Sequence, residues 1–125
     1  MGILQLLRGC SKILFTARKV YSGRDGKETF PLIWIATEGG GVNYLDKKTK
    51  NFTEYKHDAT KNSLASNTIQ GLFLDEDNHA LLIGTLRGGL DRLDLKTYQF
   101  TNYRHNAEKK NSLINDIVRK IIPYK

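Results

Sequence analysis

The 125-residue sequence holds one cysteine, one tryptophan, one methionine and two prolines. With Cys10 alone, neither an intramolecular disulfide nor a cysteine-based zinc site can be built. That absence leaves the compartment open, because a disulfide-free protein can live on either side of a membrane. No stretch approaches the ~20 apolar residues of a spanning helix, so no membrane span is expected in this chain. Met1–Arg8 carries too short an apolar run for a good secretory signal. Arg8 is wrong for the lipoprotein-like Leu7–Cys10, and Leu6 stands where a myristoylation signal wants Ser or Thr. Against the two prolines stand 11 glycines, a balance that suits tight turns more than a disordered linker.

The net charge of +7 invites a nucleic-acid reading, which its distribution weakens. Residues 1–31 carry +4 of it, from six Lys/Arg against two acids. The rest is spread through predicted loops, as at Lys47, Lys48, Lys50, Lys109 and Lys110. A solvated surface accounts for that pattern, and no nucleic-acid partner is expected. Were DNA bound through the basic N-terminus, retention would fall steeply with salt.

What the sequence does have is a repeat. Each residue from Ile33 to Ala59 has a counterpart 48 positions later; after a one-residue insertion at Glu108, Thr60–Ile69 maps onto Lys109–Val118 at 49. Of the 37 aligned pairs, 17 are identical, which makes this an internal repeat and calls for an array or propeller reading. One copy reads as four short strands parted by turns: Thr68–Leu74, Ala80–Thr85, Leu90–Leu93 and Phe100–Tyr103. The earlier copy supplies Trp34–Thr37, Val42–Leu45 and Phe52–Tyr55 in the same order. Gly39-Gly-Gly41 and Arg87-Gly-Gly89 mark hairpin turns, and Asp46–Thr49 and Asp94–Thr97 mark turns closed by Asp and Thr side chains. Glycine pairs and Asp-x-x-Thr turns interrupt every run before ten residues, which excludes helical repeats. The expected fold is therefore all-β: about two four-stranded antiparallel blades of a β-propeller, an incomplete ring.

The signature Trp34, Thr37, Gly40, Gly41, Asp46, Thr49, Phe52 and Tyr55, matched by Thr85, Gly88, Gly89, Asp94, Thr97, Phe100 and Tyr103, resembles the two-component regulator propeller repeat. His57 with Asn62-Ser-Leu64, and His105 with Asn111-Ser-Leu113, extend the likeness over residues 32–122 or so. The resemblance implies an extracytoplasmic, periplasmic ligand-sensing propeller of a hybrid two-component histidine kinase of the Bacteroides type, anchored in the inner membrane and responding to polysaccharide or oligosaccharide. It implies signalling by ligand binding, with no chemistry, cofactor or metal in this chain. The partners it implies are the remaining propeller blades and an oligosaccharide.

The expected division is an atypical segment at 1–31, a partial blade at 32–66, a full blade at 67–115 and the first strand of a following blade at 116–125. For the atypical segment two readings stay open. Ile13–Tyr21 and Thr29–Thr37 form a long hairpin around Arg24-Asp-Gly26, or Ile3, Leu6, Leu7, Cys10, Ile13, Leu14 and Ala17 form one face of a basic helix. A third makes the segment foreign to the family. Lys50 and Tyr98 occupy the family's usual glycine position, so that turn is expected to differ slightly. Leu82 replaces the tryptophan in the second copy.

Asp75-Glu-Asp77 lacks the spacing of a calcium loop and reads as a solvated hairpin tip. His57 and His105 are repeat-equivalent, about a blade apart, which argues for a loop role over a shared metal. Phe52, Tyr55, Phe100 and Tyr103 recur and read as packing between blades, with sugar stacking as the competing role. The copies differ most in chemistry at Glu38 against Leu86 and Arg87, and at Asn43-Tyr44 against Asp91-Arg92. Glu38, Tyr44, Arg87 and Arg92 are accordingly the ligand-binding candidates. An alternative function is a propeller lyase or hydrolase, with Arg92 and Glu38 as candidate central charges; a generic interaction module is another. A complete ring needs on the order of 200–400 residues, so two blades leave open edges, and self-association through them is expected.

Overall fold

The computed structural model describes residues 13–18, 21–22, 27–28, 32–46 and 49–124, with side chains from Ile33 onward. These residues form strands and, among those described, no helix and no closed barrel. The N-terminal strands are β1 (Ile13–Arg18), β2 (Tyr21–Ser22) and β3 (Lys27–Glu28). They are followed by β4 (Leu32–Thr37), β5 (Gly41–Asp46) and β6 (Asn51–Tyr55). The second sheet comprises β7 (Ile69–Asp75), β8 (Ala80–Thr85), β9 (Leu90–Asp94) and β10 (Phe100–Tyr103).

Both large sheets are antiparallel meanders. Sheet one runs β1-β4-β5-β6 and sheet two β7-β8-β9-β10, with β1 beside β7. This all-β pair of sheets fits partial propeller blades. Ile13 pairs with Thr37 and Arg18 with Leu32, and the narrow β2–β3 pair continues that antiparallel course. Ile13, Leu14 and Ala17, which also fit the helical face, thus lie in a strand. Ile3, Leu6, Leu7, Cys10 and the Arg24–Gly26 turn lie outside the described residues.

The core lies between the sheets. Side chains of a strand alternate faces, and cross-strand partners share one. Trp34 and Ala36, with their partners Tyr44 and Val42, therefore share one face of sheet one. Leu81 and Ile83, with Leu93 and Asp91, share the face of sheet two that meets it. Trp34, Val42, Leu64, Ile69, Leu81, Ile83 and Leu93 belong to one buried cluster. Ile35 and Leu45 form a second cluster on the opposite face of sheet one. Rings cross the joint as well: Tyr55 meets Phe100 edge-on at 6.0 Å and lies parallel to Tyr98 at 6.4 Å. The recurring aromatics at these positions pack sheet to sheet, while Phe52 and Tyr103 remain exposed.

The Asp-x-x-Thr turns keep their form without glycine. Lys50 and Tyr98 adopt φ of 60° and 58°. Lys50 N–H donates to Asp46 O, and Tyr98 N–H to Asp94 O, each at 2.7 Å. The Asp46 and Asp94 carboxylates accept from Thr49 and Thr97 N–H, which pins the turn tightly enough to hold a left-handed non-glycine residue. The two turns of this chain share one shape, each with a left-handed non-glycine residue.

Residues 116–124 carry no strand, although 116–125 is expected to begin one. Val118 N–H donates to Thr85 O at 3.0 Å, and the segment crosses close over Gly84 and Gly71. Among the described residues, no strand forms a ladder with it.

Candidate functional site

The meander order sends two kinds of connection to opposite ends of the sheets. The β4–β5 and β8–β9 turns share one end with the long loops 56–68 and 104–117. The β5–β6, β9–β10 and β7–β8 turns lie at the other. The loop end concentrates irregular backbone, side-chain amides and two of the residues that differ between copies, Glu38 and Arg87. It is the candidate site.

Glycine is required where the β4–β5 and β8–β9 turns lead into β5 and β9. Gly41 and Gly89 have φ of 70° and 81°, and a Cβ on either would collide with the carbonyl oxygen of Tyr55 or Tyr103. This close approach lets Gly41 N–H donate to Asn67 O at 3.0 Å and Gly89 N–H to Asp116 O at 2.8 Å. Each hairpin thereby anchors the loop that leads onward.

The loops themselves are duplicated polar networks. His57 Nδ1–H donates to Leu64 O at 2.7 Å, and His105 Nδ1–H to Leu113 O at 2.6 Å. His57 N–H donates to Asn67 Oδ1 and His105 N–H to Asp116 Oδ1, both at 2.6 Å. Ser63 accepts from Asp58 N–H and donates to Asp58 O; Ser112 does the same with Asn106. The two histidines are thus loop braces in equivalent places. Among the described residues, no group of His, Cys, Asp and Glu could hold a metal ion. The Thr60 hydroxyl and N–H hold the Asp58 carboxyl below its ordinary range, and the Lys96 and Thr97 N–H groups do so for Asp94.

Of the four ligand-binding candidates, Glu38 and Arg87 stand at the loop end. Glu38 bridges to Thr68, whose carbonyl accepts from Leu86 N–H at 3.0 Å, so Glu38 and Arg87 flank the start of β7. Gln70 Nε2 approaches Glu38 Oε1 at 3.5 Å. Arg87 has φ of 70°, and its carbonyl accepts from Arg104 Nη2 at 3.1 Å. Arg104 in turn faces Asp116 at 3.6 Å. Arg87, His105, Ile114 and Asp116 line an open concavity of about 470 Å³. Tyr44 and Arg92 are elsewhere. Tyr44 packs on Trp34 at 4.6 Å between ring centres, and Arg92 Nη2 reaches Asn78 O at 3.5 Å toward the opposite end.

The signature residues occupy structural places. Trp34 is buried, and its indole N–H has no partner among the described residues. Thr37 and Thr85 are buried, and Thr85 Oγ1 donates to Gly89 O at 2.8 Å. A Cβ on Gly40 or Gly88 would press on the Thr37 or Thr85 hydroxyl. Burial pushes the Tyr55 phenol up, with Tyr98 adding to the effect.

Two contacts between the sheets were not foreseen from sequence. Asp91 is fully buried, and its Oδ2 accepts from Ala65 N–H and its Oδ1 from Asn102 Nδ2, both at 2.8 Å. Asn62 clips the outer strand of the next sheet: its Nδ2 donates to Phe100 O at 2.8 Å and its Oδ1 accepts from Phe100 N–H at 2.7 Å. The identity of Asn62 and Asn111, and the Asn43/Asp91 difference, were the available signals.

No protein-family model and no curated protein matches this sequence. Solved structures do match. One is the extracellular domain of a hybrid two-component system from B. thetaiotaomicron, at 28% identity and a TM-score of 0.61, over 69% of this chain and 12% of that one. Another is the extracellular domain of a one-component system from the same organism, at 27% identity and a TM-score of 0.57, over 73% of this chain and 11% of that one. The chain thus spans a small part of each.

Proposed function

We propose that this chain is a segment of the extracytoplasmic, ligand-sensing region of a two-component system, built from two-component regulator propeller repeats. The observation that carries the reading is the pair of duplicated meander sheets, similar in fold and at 28% identity to an extracellular domain of such a system. The same reading places the chain in the periplasm, as part of an inner-membrane sensor with a histidine kinase and further blades. The blades divide at 32–66 and 67–115, with 116–125 leading into the next.

In this reading the ligand is an oligosaccharide held at the loop end. Glu38 and Arg87 supply an acceptor and a donor set able to take up hydroxyls, on a frame held rigid by the His57 and His105 braces. Tyr44 serves packing instead, and Arg92 serves the opposite end. Ligand binding would shift the arrangement of neighbouring sheets, which is the mechanical output a sensor requires. The lyase or hydrolase alternative gains no supporting observation: Arg92 points toward the end opposite Glu38, and the charged group near it is Asp94, which serves the β9–β10 turn.

Titration calorimetry with oligosaccharides of defined glycan classes, into the sensor region that contains this chain, tests the proposal. Binding of one class is expected, weakened at least about tenfold by Arg87→Ala through loss of a charged hydrogen bond. Absence of heat from every class, or turnover of a glycan abolished by Arg92→Ala, would overturn it.

A further inference from the structure

The tip of the second hairpin holds a strained residue where the first holds none. Arg87 has a φ of 70°, and its equivalent Gly39 a φ of 90°. Glycine takes that left-handed backbone freely, and arginine does not. Strain of this kind, held in place by the surrounding structure, is a mark of functional positions.

Charge around this tip is unevenly settled. Asp116 shares the concavity of about 470 Å³ with Arg87, and its carboxylate already has partners. Its Oδ1 accepts from His105 N–H at 2.6 Å, and its Oδ2 lies 3.6 Å from Arg104 Nη2. Arg104 Nη2 also donates to the Arg87 carbonyl at 3.1 Å, so Arg104 is occupied by the turn and by Asp116. Arg87 itself is exposed and makes no ion pair among the described residues. An uncompensated guanidinium fork beside an open concavity suits a carboxylate, which it can grip through two parallel hydrogen bonds.

The other lining groups suit a sugar. His105 Nδ1–H is committed to Leu113 O, so the neutral ring offers Nε2 as an acceptor. Asn115 Oδ1 is committed to Ile117 N–H at 2.8 Å, which leaves its Nδ2 as a donor. Ile114 and Ile117 add apolar surface for the C–H face of a ring. Glu38 does not line the concavity; its carboxylate meets the Gln70 amide. The equivalent place on sheet one has Gly39 for Arg87 and Asn67 for Asp116, and so lacks both the cation and the acid.

We infer that this concavity is a carboxylate-reading subsite. Arg87 grips the carboxylate of a uronic-acid residue, while His105 and Asn115 take the hydroxyls beside it. The subsite rests on the oligosaccharide reading of the loop end and narrows it to acidic glycans. Specificity then lies in Arg87, which only the second copy has, and not in His105, which both copies share as His57.

Titration calorimetry on the sensor region that contains this chain tests it. The probes are oligogalacturonate and glucuronate-bearing xylo-oligosaccharide, each beside its own methyl ester, which removes the charge and keeps the sugar. One free acid is expected to bind at least about tenfold tighter than its ester, the scale of a hydrogen bond to a charged group. Arg87→Ala should erase that preference while ester binding persists. Arg87→Gly should do the same at a backbone that glycine accepts, which separates lost recognition from lost folding. Arg87→Lys keeps the charge without the fork and should retain only part of the preference. Raised salt should weaken the acid and spare the ester. Equal binding of acid and ester, or a preference for acid that survives Arg87→Gly, would overturn the subsite and leave the sensing proposal standing. Silence from these four probes while a neutral glycan binds would do likewise, and silence from every glycan would overturn both.

Discussion

Asp91 concentrates the polarity of the joint, and Asp91→Asn probes it with little change of shape. An unfolded aspartate titrates near about 3.9. In the folded chain burial pushes the Asp91 carboxyl up, and the Ala65 N–H and Asn102 amide pull it only partly back. The sign follows from proton linkage. Below the ordinary range both states hold the proton, and the contribution of Asp91 to stability is fully present. As pH rises the unfolded chain ionises first, so stability is lost until the folded carboxyl also ionises. Each tenfold difference in proton affinity between the states is worth about 1.4 kcal/mol.

The asparagine variant cannot ionise. Its Oδ1 can keep the Ala65 N–H, but its Nδ2 then faces Asn102 Nδ2, which already donates to Gly88 O at 2.9 Å. One unsatisfied buried donor costs about 1–3 kcal/mol. The variant should therefore be less stable than the parent by about that amount near pH 4, and the gap should narrow toward about pH 7, where only the parent buries a charge. Urea unfolding at both pH values, followed by fluorescence of the single buried Trp34, measures the gap. Titration of other groups cancels in the difference. A gap that widened with rising pH would mean that the hydrogen bonds outweigh burial, and would refute the reasoning.

Two further outcomes concern the turns. Lys50→Gly should raise stability by about 0.5–1 kcal/mol, because relief of left-handed strain exceeds the extra chain entropy of glycine. Tyr98→Gly at the equivalent turn should gain less or lose, since its ring lies against Tyr55; equal gains in urea midpoints would refute the role of that ring. Gly89→Ala combines a φ of 81° with a Cβ driven into the Tyr103 carbonyl, and should destabilise by more than about 2 kcal/mol in the same assay.

The fold was legible because its determinants are local and occur twice. The nearly continuous apolar run of Ala80–Thr85, the Gly88-Gly89 turn and the Asp94–Thr97 turn each specify backbone within a few residues, and 17 identities fix their order. The joint was less legible because its contacts are long-range and asymmetric. Asn62 reads as an ordinary loop residue until Phe100, 38 positions away, is placed beside it. Leu64 looks like Leu113, yet one is buried and the other is not, a difference made by a neighbour and not by the residue. Tyr44 and Arg92 were singled out because they differ between copies, but the variation there tracks position in the sheet. Trp34 and Tyr44 face a neighbouring sheet, whereas Leu82 and Arg92 stand on an outward face.

That last contrast bears on where recognition can evolve in such an array. Residues at the joint must match the next sheet, so Asn62, Leu64 and Tyr55 have equivalents of the same type at Asn111, Leu113 and Tyr103. The tip of each hairpin is different. The Gly39 position holds Arg87 in the second copy at nearly the same left-handed backbone, with φ of 90° and 70°. The turn therefore accepts a charged side chain at a cost in local strain of roughly 1–2 kcal/mol, with no change in the anchoring of Gly41 or Gly89 to the loop. Under the proposed function, strain kept at this rim position, beside a joint that tolerates little change, would let a ligand-specific residue be exchanged without loosening the array.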